Sequence, residues 1–319
     1  MRAGLGALGL LAATPSLLLG AGALPTRQTV TFKTVGPLPI QADLFRPASE
    51  GAHPVVLWIH GGALIFGDRG MLPAEQRDLY LRAGFAVVAI DYRLAPETKL
   101  DGILEDLDDA YAWIRSEGPR LGLDAARLAV VGHSAGGYLA LVSGCRFRPR
   151  PRAVVSFYGY GDVAGDWYAR PDPFYGRDPE VSRAEADRAV GNTPVARGAE
   201  TRRFTYYRYC RQRGLWPQLV TGRDPEREPR AFDAICPVRG VTRDYPPTLL
   251  LHGDQDRDVP YARSVEMAQA LAKQGVPHEL MTLPEHGHVF DVEGAGMKDP
   301  LVAHAFERVV AFLSEHLGR

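Results

Sequence analysis

At 319 residues the chain can bury one large core, either as a single α/β domain carrying a cap or as two domains. Its 37 basic and 38 acidic side chains leave a net charge of −1, so no global attraction points to nucleic acid or to an anionic membrane. Cys145, Cys210 and Cys236 lack metal-ligand spacing and are too few for a disulfide framework; one bridge between Cys210 and Cys236 is compatible with an oxidising compartment, leaving Cys145 as a buried thiol.

Met1-Arg2 precedes an apolar run over 3–13, then Thr14-Pro15-Ser16 and a second run over 17–23. Ala21-Gly22-Ala23 offers the small residues that a signal peptidase reads, so 1–24 is expected to be a cleaved secretory signal and the protein to be secreted or periplasmic. An uncleaved N-terminal anchor, or a cytoplasmic protein with a mis-assigned start, is the alternative. No other stretch is long and apolar enough to span a bilayer, so no stable membrane span is expected after processing.

Residues 29–34 and 40–45 read as antiparallel strands joined across Gly36-Pro37. A continuous apolar strand over 54–60 runs into Gly61-Gly62-Ala63; a helix over 73–83 and a strand over 85–91 follow. Over 100–116 the residues Ile103, Leu104, Leu107, Tyr111 and Ile114 share one face of an amphipathic helix. A short β-branched run over 127–131 leads into Gly-His-Ser-Ala-Gly at 132–136, and the pattern then turns helical. Such a strand–turn–helix holds Ser134 on a tight corner, where Gly132 and Gly136 let strand and helix approach. The helix N-terminus then aims free N–H groups at any negative charge that forms nearby. After a strand over 153–158, alternation of strands and helices stops from 161 to 245, a stretch rich in Pro, Arg and aromatics with a helix over 199–213. It resumes with a strand over 248–252, a helix over 261–274, a strand over 279–283 and a helix over 301–317. Alternation of this kind implies an α/β protein with a mostly parallel central sheet and helices on both faces. The domain layout expected is a core of 25–160 and 246–319, with 161–245 inserted as a cap or lid.

Ligands of an open α/β sheet sit at the carboxyl ends of the strands. Four strand ends here carry polar or glycine-rich residues: His60-Gly61-Gly62-Ala63, Ser134, the acids Asp254, Asp256 and Asp258, and the pair His286 and His288. Serine attack on an acyl carbon needs a base, a carboxylate to orient it, and N–H donors for the oxyanion. All are present, in the chain order Ser, Asp, His.

The segments HGGALIFGD at 60–68, DYRLAPE at 91–97, GHSAGG at 132–137, HGDQDRDVP at 252–260 and GHVFD at 287–291 carry a resemblance. In their order and spacing the chain resembles the α/β-hydrolase superfamily, specifically the esterase/lipase group related to hormone-sensitive lipase and bacterial carboxylesterases. The resemblance implies an α/β-hydrolase fold with Ser134 as nucleophile, Asp256 as triad acid and His288 as base. It implies an oxyanion hole made of the N–H groups of Gly61, Gly62 and Ala135. Asp254 and Asp258 are then expected to cap the loop or to be solvated, and His286, the alternative base, to be an exposed or backbone-bonded histidine. Where many relatives have a third glycine this chain has Ala63, which narrows the space beside the acyl carbon and disfavours bulky tertiary alcohols. His60, His133, Asp91 and Glu97 are read as structural.

Two other constellations are weighed. Glu285, His286, His288 and Asp291 could ligate a metal, but the triad already uses His288 and no further histidines complete a tetrahedral site, so no metal is expected. The arginines and aromatics of 202–213 superficially resemble a single-stranded nucleic-acid surface. The reading preferred is a cap helix with aromatics over the site and arginines in water or on an anionic substrate, with no nucleic-acid partner. The expected function is cofactor-free serine hydrolysis of a carboxylic ester, short-chain or polar, in a small molecule or attached to a polymer. The alternatives are an exopeptidase or amidase on the same scaffold, and a non-catalytic binding protein of this fold. Oligomeric state is not legible in the sequence.

Overall fold

The computed structural model describes residues 27–318, so the expected signal over 1–24 lies outside the described residues. Strand β3 (His53–Ile59) shows how the sheet is built, because all seven of its residues are buried. Val55, Leu57 and Ile59 pack into the apolar cluster on one face of the sheet, and Val56 and Trp58 into the cluster on the other. A strand covered on both faces can be apolar throughout, and each fully buried Val, Leu or Ile side chain contributes about 1.5–3 kcal/mol.

Around β3 stand β1 (Gln28–Val35), β2 (Leu38–Phe45), β4 (Ala86–Ile90), β5 (Leu123–His133), β6 (Ala153–Phe157), β7 (Thr248–Gly253) and β8 (His278–Leu283). Their spatial order is β1-β2-β4-β3-β5-β6-β7-β8. The pairs β1/β2 and β2/β4 are antiparallel, and every pair from β4 onward is parallel. The chain leaves β3 toward β4 on one side and returns to β5 on the other, which opens a crevice at the carboxyl ends of β3 and β5.

Helices α2 (Leu100–Glu117) and α3 (Ala135–Arg146) cover one face of the sheet, and α1 (Ala74–Arg82) covers the other. The stripe read from sequence on α2 is buried as expected. Between β6 and β7 lie α4 (Asp166–Ala169), α5 (Arg183–Ala189), α6 (Glu200–Arg213), α7 (Trp216–Thr221) and α8 (Pro237–Gly240). Helix α9 (Ala262–Lys273) joins the α2/α3 face, and α10 (Pro300–Leu317) packs beside α1, its N-terminus capped by the Asp299 side chain. Among the described residues no helix is long and apolar enough to cross a membrane.

The inserted helices share the core of the sheet rather than resting on it. Tyr160, Tyr168, Trp216 and Phe232 belong to the same apolar cluster as α2 and α3, with Tyr168 stacked on Trp216 at 4.2 Å. Helix α6 departs from the sequence expectation, because Arg203 and Arg211 are buried and not in water. Arg203, Tyr207 and Arg211 are spaced by four, so they lie on one helical face. That face meets carboxylates from distant loops. Arg203 pairs with Glu97 at 2.5 Å and donates to Ala95 O at 2.7 Å, whereas Arg211 pairs with Asp172 and Asp258. The bridge that the sequence left open between Cys210 and Cys236 is not formed. All three thiols are free, Cys145 is half-buried, and Cys236 donates to Asp162 at 3.2 Å rather than bridging to Cys210.

Glu97 is buried with Arg203 as its counter-ion, so Arg203→Met strands a charge and is expected to cost about 3–5 kcal/mol. The double variant Arg203→Met/Glu97→Gln removes both charges and should recover much of that loss. Urea midpoints of the three proteins check this.

Candidate active site

Ser134 stands between β5 and α3 with φ 55° and ψ −117°, a conformation that costs a non-glycine residue about 1–3 kcal/mol. The corner survives because its neighbours admit no other path. A Cβ on Gly132 would lie 2.0 Å from Gly136 O, and one on Gly136 would lie 2.1 Å from Ile59 O. Strand, turn and helix are thus in backbone contact with β3, and Ser134 N–H donates to Phe157 O of β6 at 2.9 Å.

The loops after β7 and β8 bring Asp256 and His288 to this serine. His288 Nε2 lies 2.9 Å from Ser134 Oγ, and its Nδ1 lies 2.6 Å from Asp256 Oδ2. The carboxylate assigns the tautomer: Nδ1–H donates to Asp256, leaving the Nε2 lone pair for the serine hydroxyl. Asp256 Oδ1 accepts the N–H groups of Asp258 at 2.9 Å and Val259 at 2.8 Å. A second histidine completes the shell, since His252 Nε2 reaches Asp256 Oδ2 at 3.1 Å. Burial pushes the Asp256 carboxyl up, but the hydrogen bonds from His252 and His288 outweigh it and hold the group well below the usual carboxylate range. Burial disfavours charge on His288, but the Asp256 hydrogen bond and the fields of Asp256, Asp258 and Asp291 raise it above an ordinary imidazole.

Opposite the histidine lies the turn after β3. Gly62 O accepts Ile65 N–H at 2.8 Å and Phe66 N–H at 2.9 Å, which fixes the turn. Tyr92 OH donates to His60 O at 3.0 Å and reaches Gly61 O at 3.3 Å, which ties both carbonyls to the loop after β4. The His60 ring stacks on Tyr92 at 4.2 Å and lies 2.8 Å from Gly61 O through Nδ1; complete burial lowers its pKa to about 4, which keeps it neutral. Among the described residues the N–H groups of Gly61, Gly62 and Ala135 donate to no acceptor, and Gly61 abuts Ser134 closely enough that a Cβ there would lie 3.2 Å from the serine Cβ. Ala63 occupies the third position of the turn with φ 54°.

Asp291, three residues after His288, anchors the histidine loop. Its Oδ1 accepts from Tyr158 OH at 2.5 Å, its Oδ2 accepts from Gln76 Nε2, and His133 Nε2 approaches Oδ2 at 3.3 Å without hydrogen-bond alignment. Helix α1, strand β5 and the residue that follows β6 therefore converge on one buried carboxylate. Tyr158 also packs edge-on against the His288 ring at 4.7 Å. The metal ligands weighed from sequence are dispersed. His286 turns away, with Nδ1 2.7 Å from Pro284 O and Nε2 3.6 Å from Asp299, while His288 faces Ser134. Asp254 accepts from Glu285 N–H at 2.8 Å, a loop-capping role. Asp258 does not cap the loop; partly exposed, it is the counter-ion of Arg211.

Ser134 opens into a cavity of about 540 Å³ whose far wall is supplied by Phe66 and by Phe174, Tyr175, Phe204 and Tyr207 of the inserted segment. The insertion thus turns aromatic rings, not arginines, toward the serine. His252, Gln76 and Tyr158 had no visible role in the sequence; only the position of His252 in the HGDQD segment hinted at one.

A switch-point serine on a strand–turn–helix corner, facing a histidine and a buried aspartate, defines the class of α/β hydrolases. Residues 56–292 match the family described as alpha/beta hydrolase fold, and the chain belongs to that family. An alpha/beta hydrolase superfamily protein from Enterococcus faecalis has a similar structure, with a TM-score of 0.71 at 24% identity, covering 91% of this chain and 99% of that one. Esterase LipW from Mycobacterium marinum superposes with a TM-score of 0.65 at 24% identity, covering 92% and 83% of the two chains. Carboxyl esterase 2 from the fungus Tuber melanosporum gives 0.67 at 20% identity, covering 93% and 89%. Among curated relatives, a non-reducing polyketide synthase of Preussia isomera is 30% identical over 83% of this chain, and one of Penicillium rubens is 27% identical over 91%. The chain spans only 14% of the length of each synthase.

The Asp291 carboxyl, pushed up by burial but pulled down further by His133, Tyr158 and Gln76, sits below the usual carboxylate range. Its stabilising contribution is fully present above the unfolded-state value of about 4 and is lost as pH falls through the lower folded value. Asp291→Asn is therefore expected to cost about 1–3 kcal/mol at pH 7, and the gap from wild type should close below about pH 4. Denaturation midpoints across that range are the check.

Proposed function

We propose that the protein is a serine hydrolase that cleaves small carboxylic esters through an acyl-enzyme. The observation that carries this reading is the unbroken chain of hydrogen bonds from Ser134 Oγ through His288 to Asp256, set against three N–H groups that have no acceptor among the described residues. Ser134 Oγ attacks the ester carbonyl as His288 Nε2 takes its proton, and ionised Asp256 stabilises the imidazolium. The carbonyl oxygen, now negative, is met by the N–H groups of Gly61, Gly62 and Ala135; losing one such donor typically costs 10²–10³ in rate. Collapse of the adduct breaks the ester C–O bond while His288 returns the proton to the leaving alcohol. Water then repeats the sequence on the acyl-enzyme and frees the acid. The mechanism uses no cofactor. The aromatic wall and modest cavity suit a compact apolar or aryl group, and Ala63 disfavours bulk beside the acyl carbon. An export signal would make the substrate an extracytoplasmic ester.

The likeness to polyketide synthases favours a second reading, hydrolysis of an acyl thioester by the same residues, since a thiolate leaves more readily than an alkoxide and asks less of the acid.

The purified protein is expected to hydrolyse p-nitrophenyl acetate and butyrate in preference to palmitate, and Ser134→Ala should lower kcat/KM by about 10⁴-fold or more. Because neutral His288 is the active form and its pKa is raised, kcat/KM should fall as pH drops through an inflection above about 6.5. Matched amide and N-acetylcysteamine thioester substrates distinguish the neighbouring chemistries. Absence of turnover on all of them, together with no labelling of Ser134 by a fluorophosphonate, would reject the reading in favour of a binding protein.

A further inference from the structure

Asp256 accounts for one nitrogen of His288, but a second carboxylate stands at the other. Asp258 Oδ2 lies 3.6 Å from His288 Nε2, on the side where the proton is received and given up. Its orientation is fixed from behind. Asp258 Oδ1 accepts from Tyr207 OH at 2.6 Å, Tyr175 OH at 3.0 Å and Arg211 Nη1 at 2.8 Å. Arg211 also donates to Asp258 O at 3.0 Å and is itself held by Asp172 and stacked over Tyr168 at 4.9 Å. With Oδ1 saturated by three donors, Oδ2 has no hydrogen-bond donor among the described residues, and Asp258 lines the cavity. The backbone ties the same residue to the triad, because Asp258 N–H is one of the two that hold Asp256 Oδ1.

We propose that Asp258 is a positioning residue for the reaction: clamped by Tyr175, Tyr207 and Arg211 of the inserted segment, its Oδ2 steadies the His288 imidazolium between nucleophilic attack and protonation of the leaving group. The inference rests on the reading of His288 as the base. An opposite charge within about 4–6 Å favours the charged form of a titrating group, and here that charge is delivered by the cap. Docking of the inserted segment and basicity of His288 are thereby linked through one carboxylate.

The other charged groups around His288 are already committed or point elsewhere. Asp256 serves Nδ1, and both oxygens of Asp291 are taken by Tyr158 and Gln76, with His133 alongside. Glu200, Arg257 and Glu293 line the same cavity but are exposed at its rim, where solvent screens them. Arg211 opposes Asp258 from behind, and its charge is divided with Asp172.

The test is the titration of the His288 imidazole by NMR on the full chain labelled with ¹⁵N-histidine, a readout that needs no substrate. Asp258→Asn keeps the acceptor for Tyr175, Tyr207 and Arg211 while removing the charge, and His288 should titrate about one pH unit lower. Tyr175→Phe removes one of the three donors and leaves the carboxylate charge less neutralised, so His288 should shift upward by a few tenths of a unit. Opposite signs from the two variants are not expected of a purely structural residue. A His288 titration unmoved in Asp258→Asn, or unmoved in Tyr175→Phe if the first variant does not fold, overturns the proposal. Should the two variants show these shifts while wild type cleaves no ester or thioester, the esterase reading fails and the role of Asp258 at His288 stands.

Discussion

A serine held at positive φ between a strand and a helix is tolerable only where the surrounding backbone leaves it no alternative, and here that requirement is met by contact. Gly132 meets Gly136 O, and Gly136 meets the carbonyl of Ile59 at the end of β3. The same contact places the turn after β3 beside Ser134, so the strained corner and the turn bearing the free N–H groups are two sides of one packing arrangement. The sheet order makes this close approach available, because β3 and β5 are neighbours whose chains depart in opposite directions. The position of Ser134 and the geometry of the turn opposite it are therefore not independent features of the fold.

The rest of the site is governed by buried carboxylates, each with its own set of donors. Asp256 is held by two histidines and two N–H groups, Asp291 by Gln76 of α1 and by Tyr158 just after β6, and Glu97 by Arg203. A buried carboxylate without partners would neutralise or unfold its surroundings, so each one fixes the elements that supply its donors. Asp291 fixes the loop of His288 to α1 and β6. Glu97 and Asp258 fix α6 to the loops after β4 and β7. The inserted segment is thus joined to the catalytic end of the sheet by ion pairs at two of its helical turns and by a shared apolar core, and its aromatic rings face the cavity as a consequence.

Much of this was legible in the chain. Every strand and the long helices of the sheet were located to within a few residues, because a parallel sheet covered on both faces imposes apolar runs on its strands and a 3.6-residue stripe on its helices. Ser134 was legible from its glycines, and Asp256 and His288 from their segments. Helix α6 was placed correctly and misjudged in its environment: its buried face is Arg-Tyr-Arg, and a cationic face reads as solvated until the carboxylates opposite it are known. Those carboxylates, Glu97, Asp172 and Asp258, lie between 39 and 106 residues away at their nearest pairings. Asp258 was set aside as a loop acid for the same reason, and the Cys210–Cys236 bridge was entertained because spacing alone does not tell which way a thiol points.

What the sequence determined by itself is whatever depends on local periodicity and short segments: the alternating strands and helices, the glycine-flanked serine, and the chain order of Ser134, Asp256 and His288 at three strand ends. What the tertiary structure alone decided is which charges meet. Pairing of Arg211 with Asp258, and of Gln76 and Tyr158 with Asp291, follows from how α6, α1 and the segments after β6, β7 and β8 converge. The physical reason is that a charged side chain is indifferent to burial only when a partner is present, and partners brought together by a sheet crossover leave no periodic trace in the chain that supplies them.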